Sequence, residues 1–250
     1  MDEFARAWEF ERGMQDRCAL FLREFEYGVA LYNDEFRRVF DTNFVRFERG
    51  FDELDGDLVE GQADELQAAL THRKVVIPDE AAGARVAEEL KERGWRYFTL
   101  VTLAYRGRAP QAERLAEEVD SVELRAARHR ALDDGRRDAE ARRQIVAFTE
   151  LMAEVGSTRL FAARGDRGEI GSFCALFQED GLGQIDEVTT VEQYRRRGLA
   201  RAVVQAAVRA SLDAGADLTF LVADEGDWPS EWYERLGFEP IGRRYELLRT

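Results

Sequence analysis

The sequence predicts an α/β fold: a mixed sheet flanked by helices, built as two related domains in tandem. Three observations carry this reading. Segments with helical apolar spacing alternate with short strand-like segments along most of the chain. Glycine-containing turns separate many of them. The close of the first half, "LKERGWRYF", also echoes the close of the second, "YERLGFEPI". Placing Gly94-Trp95 on Gly237-Phe238 brings the preceding strands and helices of the two halves into step.

The elements follow in order. "MDEFARAWEFERGMQDRCALFL" reads as a helix from the spacing of Phe4, Trp8, Met14, Cys18 and Leu22, which form a core face. "REFEYGVALYN" and "DTNFVRFER" are strand-like. A helix over 57–70, a strand over 73–77, a helix over 79–93 and a strand over 95–104 complete the first half. Residues 105–118 form the connection, so the expected domains are 1–111 and 112–250.

In the second half, "VDSVELR" (119–125) is a strand running into a helix. Over 136–156, Ile145, Phe148, Leu151, Met152 and Val155 mark a helix that stops at Gly156. Strands are expected at 158–164, 168–178 and 183–191, then a helix over 197–213 and a buried strand at 217–223. Pro229 suits the first turn of a short helix, because its missing N–H costs nothing there. "FEPIGRRYELL" (238–248) closes the chain as a strand or hairpin.

Composition narrows the function. With 250 residues the chain has room for a substantial core. A net charge of −14 disfavours nucleic acid or an anionic membrane as the main partner, since both need a broad basic face. It mildly favours a cationic substrate, with solubility alone as the alternative. No run of about 18 apolar residues is present to form a transmembrane helix. The acidic start "MDEFARAWEF" lacks a signal pattern, so the expected location is the cytoplasm. There Cys18 and Cys174 are expected as buried free thiols. His72 and His129 have no partner at metal-ligand spacing, which argues against a metal.

One stretch runs against the acidity: "IDEVTTVEQYRRRGLARAVVQAAVRA", residues 185–210. Arg195, Arg196, Arg197 and Arg201 surround Gly198 at the mouth of a helix whose N-terminus is itself positive. A multiply charged anion resolves that conflict. Backbone N–H groups of the first helical turn would hold it, Gly198 would let it approach, and the arginines would add charge-assisted bonds. The spacing fits neither a P-loop nor a dinucleotide fingerprint.

The stretch resembles the acetyl-CoA site of the GNAT acetyltransferase superfamily. Arg195, Gly198 and Ala200 fill the pattern Arg/Gln-x-x-Gly-x-Gly/Ala. A second family feature follows in Trp232, Tyr233, Leu236, Gly237 and Phe238. The resemblance covers about 119–249 well and the first half only as a faint repeat. It implies a mixed, mostly antiparallel sheet flanked by helices, acetyl-CoA as co-substrate, no metal, and direct transfer of acetyl to a small-molecule amine or peptide amine in a ternary complex. It further implies that the strand carrying Val188, Thr189 and Thr190 splays from its neighbour to pair with the pantetheine arm. The turn and helix start of Arg195, Arg196, Arg197, Gly198, Leu199, Ala200 and Arg201 would take the pyrophosphate. Tyr233 would protonate the leaving thiolate, and Asp186 or Glu187 would serve as base. On a regular strand those two acids face opposite ways, and the splay leaves open which one meets the substrate. The family's usual asparagine before the last helix is replaced by "DEGDWPSEW", where Trp228 and Pro229 are expected to reshape the site's edge.

The first half lacks these parts. Asp52, Glu53, Asp55 and Asp57 stand where the arginines would be, and Leu90 aligns with Tyr233. That half is expected to be degenerate and to wall the acceptor pocket. A protein that binds CoA for regulation or scaffolding without turnover is the alternative, as is transfer to another acceptor or from another acyl donor.

Overall fold

The computed structural model describes residues 2–110, 116–133, 135, 137–226 and 229–250, the side chains of Pro229 and Ser230 excepted. The first half runs α1 (Glu3–Cys18), β1 (Phe21–Phe25), β2 (Gly28–Tyr32), β3 (Phe44–Phe47), α2 (Gly56–Leu66), β4 (Arg73–Ile77), α3 (Glu80–Lys91) and β5 (Arg96–Tyr105). The second runs β6 (Ala116–Val119), α4 (Ser121–Ala131), α5 (Ala139–Val155), β7 (Thr158–Arg164), β8 (Ile170–Glu179), β9 (Leu182–Thr190), α6 (Leu199–Asp213), β10 (Leu218–Asp224), α7 (Pro229–Arg235) and β11 (Phe238–Arg249). Most expected elements are present. The helical pattern stops at Cys18, however, and Leu22 lies 42% exposed on β1 because the chain turns there into a β1–β2 hairpin. The closing segment is one long strand rather than a hairpin.

All strands join one eleven-stranded sheet in the order β1-β2-β3-β4-β11-β5-β10-β9-β8-β7-β6. Among the described residues only β3–β4 and β9–β10 are parallel pairs, at equivalent places in the two halves. The repeat extends further: β1-β2-β3-α2-β4-α3-β5 follows the same order as β7-β8-β9-α6-β10-α7-β11. The halves are not side by side, though. Strand β5 lies between β10 and β11, and β11 lies between β4 and β5. Each half thus places its last strand between the last two strands of the other.

Helices α2, α3, α6 and α7 cover one face. There Val203 and Ala207 of α6 pack with Ile185 and Leu221, and Val86 and Leu90 of α3 pack with Val75 and Leu247. Helices α1, α4 and α5 cover the other, where Phe10 of α1 meets Phe220 edge-on at 5.8 Å. Among the described residues no helix is long and apolar enough to cross a membrane, and both Cys18 and Cys174 are free and buried.

Among the helix starts within the described residues, one is an exception. Asp2, Asp55, Asp79, Asp120 and Asp138 cap α1 to α5, each side chain accepting a first-turn backbone N–H. Helix α6 begins instead on Gly198, φ +80°, with no side-chain cap.

Candidate functional site

The site begins where two parallel strands part. Strands β9 and β10 pair from Leu182↔Leu218 to Ile185↔Leu221 and then separate. On its other side β9 stays bonded to β8, but its register shifts between Ala175↔Asp186 and Phe173↔Thr189. Glu187 sits in this bulge with φ +54°, a left-handed conformation that costs a non-glycine residue energy. Its N–H donates to Asp186 Oδ1 at 2.6 Å. The strand is therefore not regular, and Asp186 and Glu187 do not face opposite ways. Both line the same cavity on the α1/α5 face.

Their surroundings differ. Arg128 of α4, only 2% exposed, forks onto Glu187 with Nε–Oε1 at 2.8 Å and Nη2–Oε2 at 2.7 Å, and reaches Ser121 Oγ at 3.1 Å. Burial raises the Glu187 pKa, and Arg128 opposes that rise. Burial also raises the Asp186 pKa, partly offset by the Glu187 N–H, while the charge of Asp41 adds to it and Arg244 opposes it. Among the described residues no cation lies within ion-pair distance of Asp186.

Beyond the bulge, on the α6/α7 face, opens a cleft of 760 Å³. Val188, Thr189 and Thr190 form one wall, with their β10-facing edge unpaired. Arg195, Arg196, Gly198, Leu199, Ala200 and Arg201 form the opposite end, where the first N–H groups of α6 lack intrahelical partners. Arg196 is held at φ +62° in the approach to this turn. Arg197 is not on the wall: its Nη1 pairs with Asp166 Oδ2 at 2.7 Å and its guanidinium lies over the Tyr194 ring. Tyr194 supports the turn from below, bonded to Glu169 Oε2 at 3.1 Å. Gly171 is required beneath it, since a Cβ there would fall 2.8 Å from the Tyr194 ring.

Tyr233, 7% exposed, stands where this cleft meets the strand gap and lines both. Its ring packs on Phe238 at 5.9 Å and Trp232 at 5.0 Å. Burial pushes its hydroxyl well above the ordinary phenol value, with Cys174 and Asp186 contributing. The expectation for Trp228 and Pro229 concerns side chains outside the described residues.

The gap itself holds a pocket of 240 Å³. It shares Val188, Thr189 and Tyr233 with the cleft, and Asp186, Glu187 and Asp224 with a second cavity of 480 Å³ on the α1/α5 face. The first half supplies much of that second cavity, including Glu11, Met14, Asp41, Lys74 and Leu100. Sequence reasoning missed Arg128, Tyr194 and Asp224. Nothing in the spacing of Arg128 and Glu187 links α4 to β9, and Asp224 gains its place only from the parting of the strands.

The corresponding place in the first half is closed. The alignment that puts Gly94 on Gly237 puts Asp55 on Gly198. Asp55 Oδ1 accepts the Leu58 N–H at 2.8 Å, and Glu89 Oε2 accepts the Gly56 N–H at 2.6 Å. Asp57 and Glu60 are paired with Arg93.

The FR47-like protein family, related to GNAT, matches residues 165–247. No curated protein sequence matches the chain. Among solved structures, a conserved protein of unknown function from Staphylococcus epidermidis aligns over 92% of this chain and 94% of its own, at TM-score 0.68 and 15% identity. A GCN5-related N-acetyltransferase from Kribbella flavida aligns over 100% and 96%, at TM-score 0.65 and 22% identity. A tandem GNAT protein from the clavulanic acid biosynthesis pathway aligns over 77% and 68%, at TM-score 0.53 and 12% identity. The chain resembles the GNAT superfamily, in sequence over residues 165–247 and in fold over its whole length.

Proposed function

We propose that the protein is an N-acetyltransferase that carries acetyl from acetyl-CoA to an amine within a ternary complex. The observation that carries the proposal is the gap between β9 and β10: its pocket shares lining residues with a cleft and a cavity on opposite faces of the sheet. A donor entering from one face and an acceptor from the other would meet between Tyr233 and Asp186.

The donor fits the residues present. The uncapped start of α6 offers free N–H groups for the diphosphate, and Arg195, Arg196 and Arg201 add cations. The open edge of Val188–Thr190 is suited to the amides of the pantetheine arm. Acetyl-CoA supplies an activated thioester, and the rest falls to the protein. Asp186 takes one proton from the incoming ammonium, freeing the nitrogen lone pair to form the C–N bond. Tyr233 gives its hydroxyl proton to the sulfur as the C–S bond breaks, and recovers one from the amide nitrogen. The proton on Asp186 passes to solvent, so the net products are amide, thiol and one proton.

Glu187 plays a different part: clamped by Arg128, it holds the bulge that opens the gap. The two free buried thiols accord with a cytoplasmic setting. Thiol release from acetyl-CoA against a panel of amines tests the reading. Amine-dependent release with an N-acetylated product supports it. Acetyl-CoA binding without turnover on any amine would make the protein a CoA-binding regulator instead.

A further inference from the structure

The 480 Å³ cavity between the halves has an uneven charge balance. Its floor is laid across the exchanged strands, where Asp224 of β10, Leu100 of β5 and Arg244 of β11 stand opposite one another. Most charges there are matched. Lys74 lies between Asp41 and Glu246, Arg244 is bonded to Glu11 at 2.8 Å, and Arg128 holds Glu187. Arg137 also lines the cavity and has a partner of its own, and Asp186 and Asp224 are the exceptions. Each accepts a backbone N–H, from Glu187 at 2.6 Å and from Gly226 at 3.0 Å, and neither meets a cation among the described residues.

Two further features point to a ligand. Arg244, 4% exposed on the cavity lining, has an Nε–H with no hydrogen-bond partner among the described residues, its Nε lying 3.7 Å from Glu246 Oε1. The part of the lining drawn from α1 and α5 is largely hydrocarbon: Met14, Ile145, Phe148 and Met152. A volume of 480 Å³ suits a small molecule, and a well-packed interface would leave no such space.

Resting on the acetyl-transfer reading above, we propose that this cavity is the acceptor site and that the acceptor is a small cationic amine with an apolar body. Its ammonium lies between Asp186 and Asp224, and its hydrocarbon part lies against α5. A carboxylate ligand would meet two acids already lacking cations and is rejected.

The test is calorimetric binding to the intact protein of 2-phenylethylamine, 1-hexylamine and the anionic 3-phenylpropionate, without acetyl-CoA. Both amines bind and 3-phenylpropionate does not. Asp224→Asn, which keeps the side chain's shape, weakens the amines roughly tenfold or more by removing a charge-assisted contact. Its acetyl-CoA affinity stays that of the wild type, which also reports a folded variant. Failure of both amines to bind at millimolar concentration, equal binding of the anion, or unchanged amine affinity in Asp224→Asn overturns the proposal. Failure of the acetyl-transfer reading shows separately, as a wild-type protein that does not bind acetyl-CoA.

Discussion

Arg128 holds the Glu187 carboxylate in a two-pronged fork, at 2.8 and 2.7 Å, and so leaves Asp186 as the neighbouring acid with no cation of its own. The pair separates two adjacent carboxylates by role. One is neutralised and fixes the strand bulge; the other faces the gap with a pKa raised by burial.

Asp186→Asn should lower kcat by roughly 100- to 10,000-fold, the range of a lost general base, with acetyl-CoA affinity within a few fold of wild type. The pH dependence has a defined sign. Transfer needs the ionised carboxylate, and a raised pKa moves ionisation to higher pH. The acidic limb of the wild-type kcat/KM profile should therefore lie above the ordinary aspartate value of about 3.9 and disappear in Asp186→Asn. A wild-type rate in this variant removes Asp186 from the mechanism.

Glu187→Gln should act chiefly on stability. It leaves Arg128, 2% exposed, without its counter-charge, and breaking a buried pair costs about 3–5 kcal/mol. Denaturant unfolding should show the loss. A variant as stable as wild type would mean that the fork does not hold the bulge.

The four arginines should separate as well. Arg196→Ala with Arg201→Ala should weaken acetyl-CoA more than tenfold, since each charge-assisted bond contributes about 1.5–3 kcal/mol. Arg197→Ala should change it by no more than a few fold, because that guanidinium is engaged with Asp166. Calorimetry on the three proteins decides between this arrangement and one in which all the arginines contribute alike.

Tyr233→Phe should reduce turnover about 10- to 1,000-fold with acetyl-CoA affinity nearly unchanged, because the ring still packs on Phe238 and only the hydroxyl is lost. Product formation at the wild-type rate would assign the proton to another donor.

Fragment 112–250 should not fold on its own. It lacks β5, the strand that pairs with both β10 and β11, so the sheet edge beside the gap would stand open. Circular dichroism and gel filtration of the isolated fragment report this, and a monomeric, active fragment would show that the strand exchange is dispensable.

Much of this architecture was legible in the sequence. The echo of Gly94-Trp95 in Gly237-Phe238 located the repeat because both glycines, at φ +85° and +98°, end a helix and start the closing strand. The turn at Gly198 stood out in the sequence because Arg195, Arg196, Arg197 and Arg201 crowd one glycine at a helix start. What escaped depends on contacts distant in sequence. No local pattern encodes the exchange of β5 and β11, since each half alone reads as a complete unit. The shared side of Asp186 and Glu187 comes from a bulge, which alternation along a strand does not announce. Arg197 looked like Arg196 until Asp166 was brought beside it by the turn after β7.

The most direct test is a count of acetyl-CoA bound per chain, by native mass spectrometry of the intact protein. The open start of α6 offers a site, whereas Asp55 and Glu89 fill the equivalent start of α2 with the protein's own carboxylates. The account predicts a single bound acetyl-CoA, lost in the Arg196→Ala, Arg201→Ala double variant. Two bound molecules, or one that persists in that variant, would contradict it.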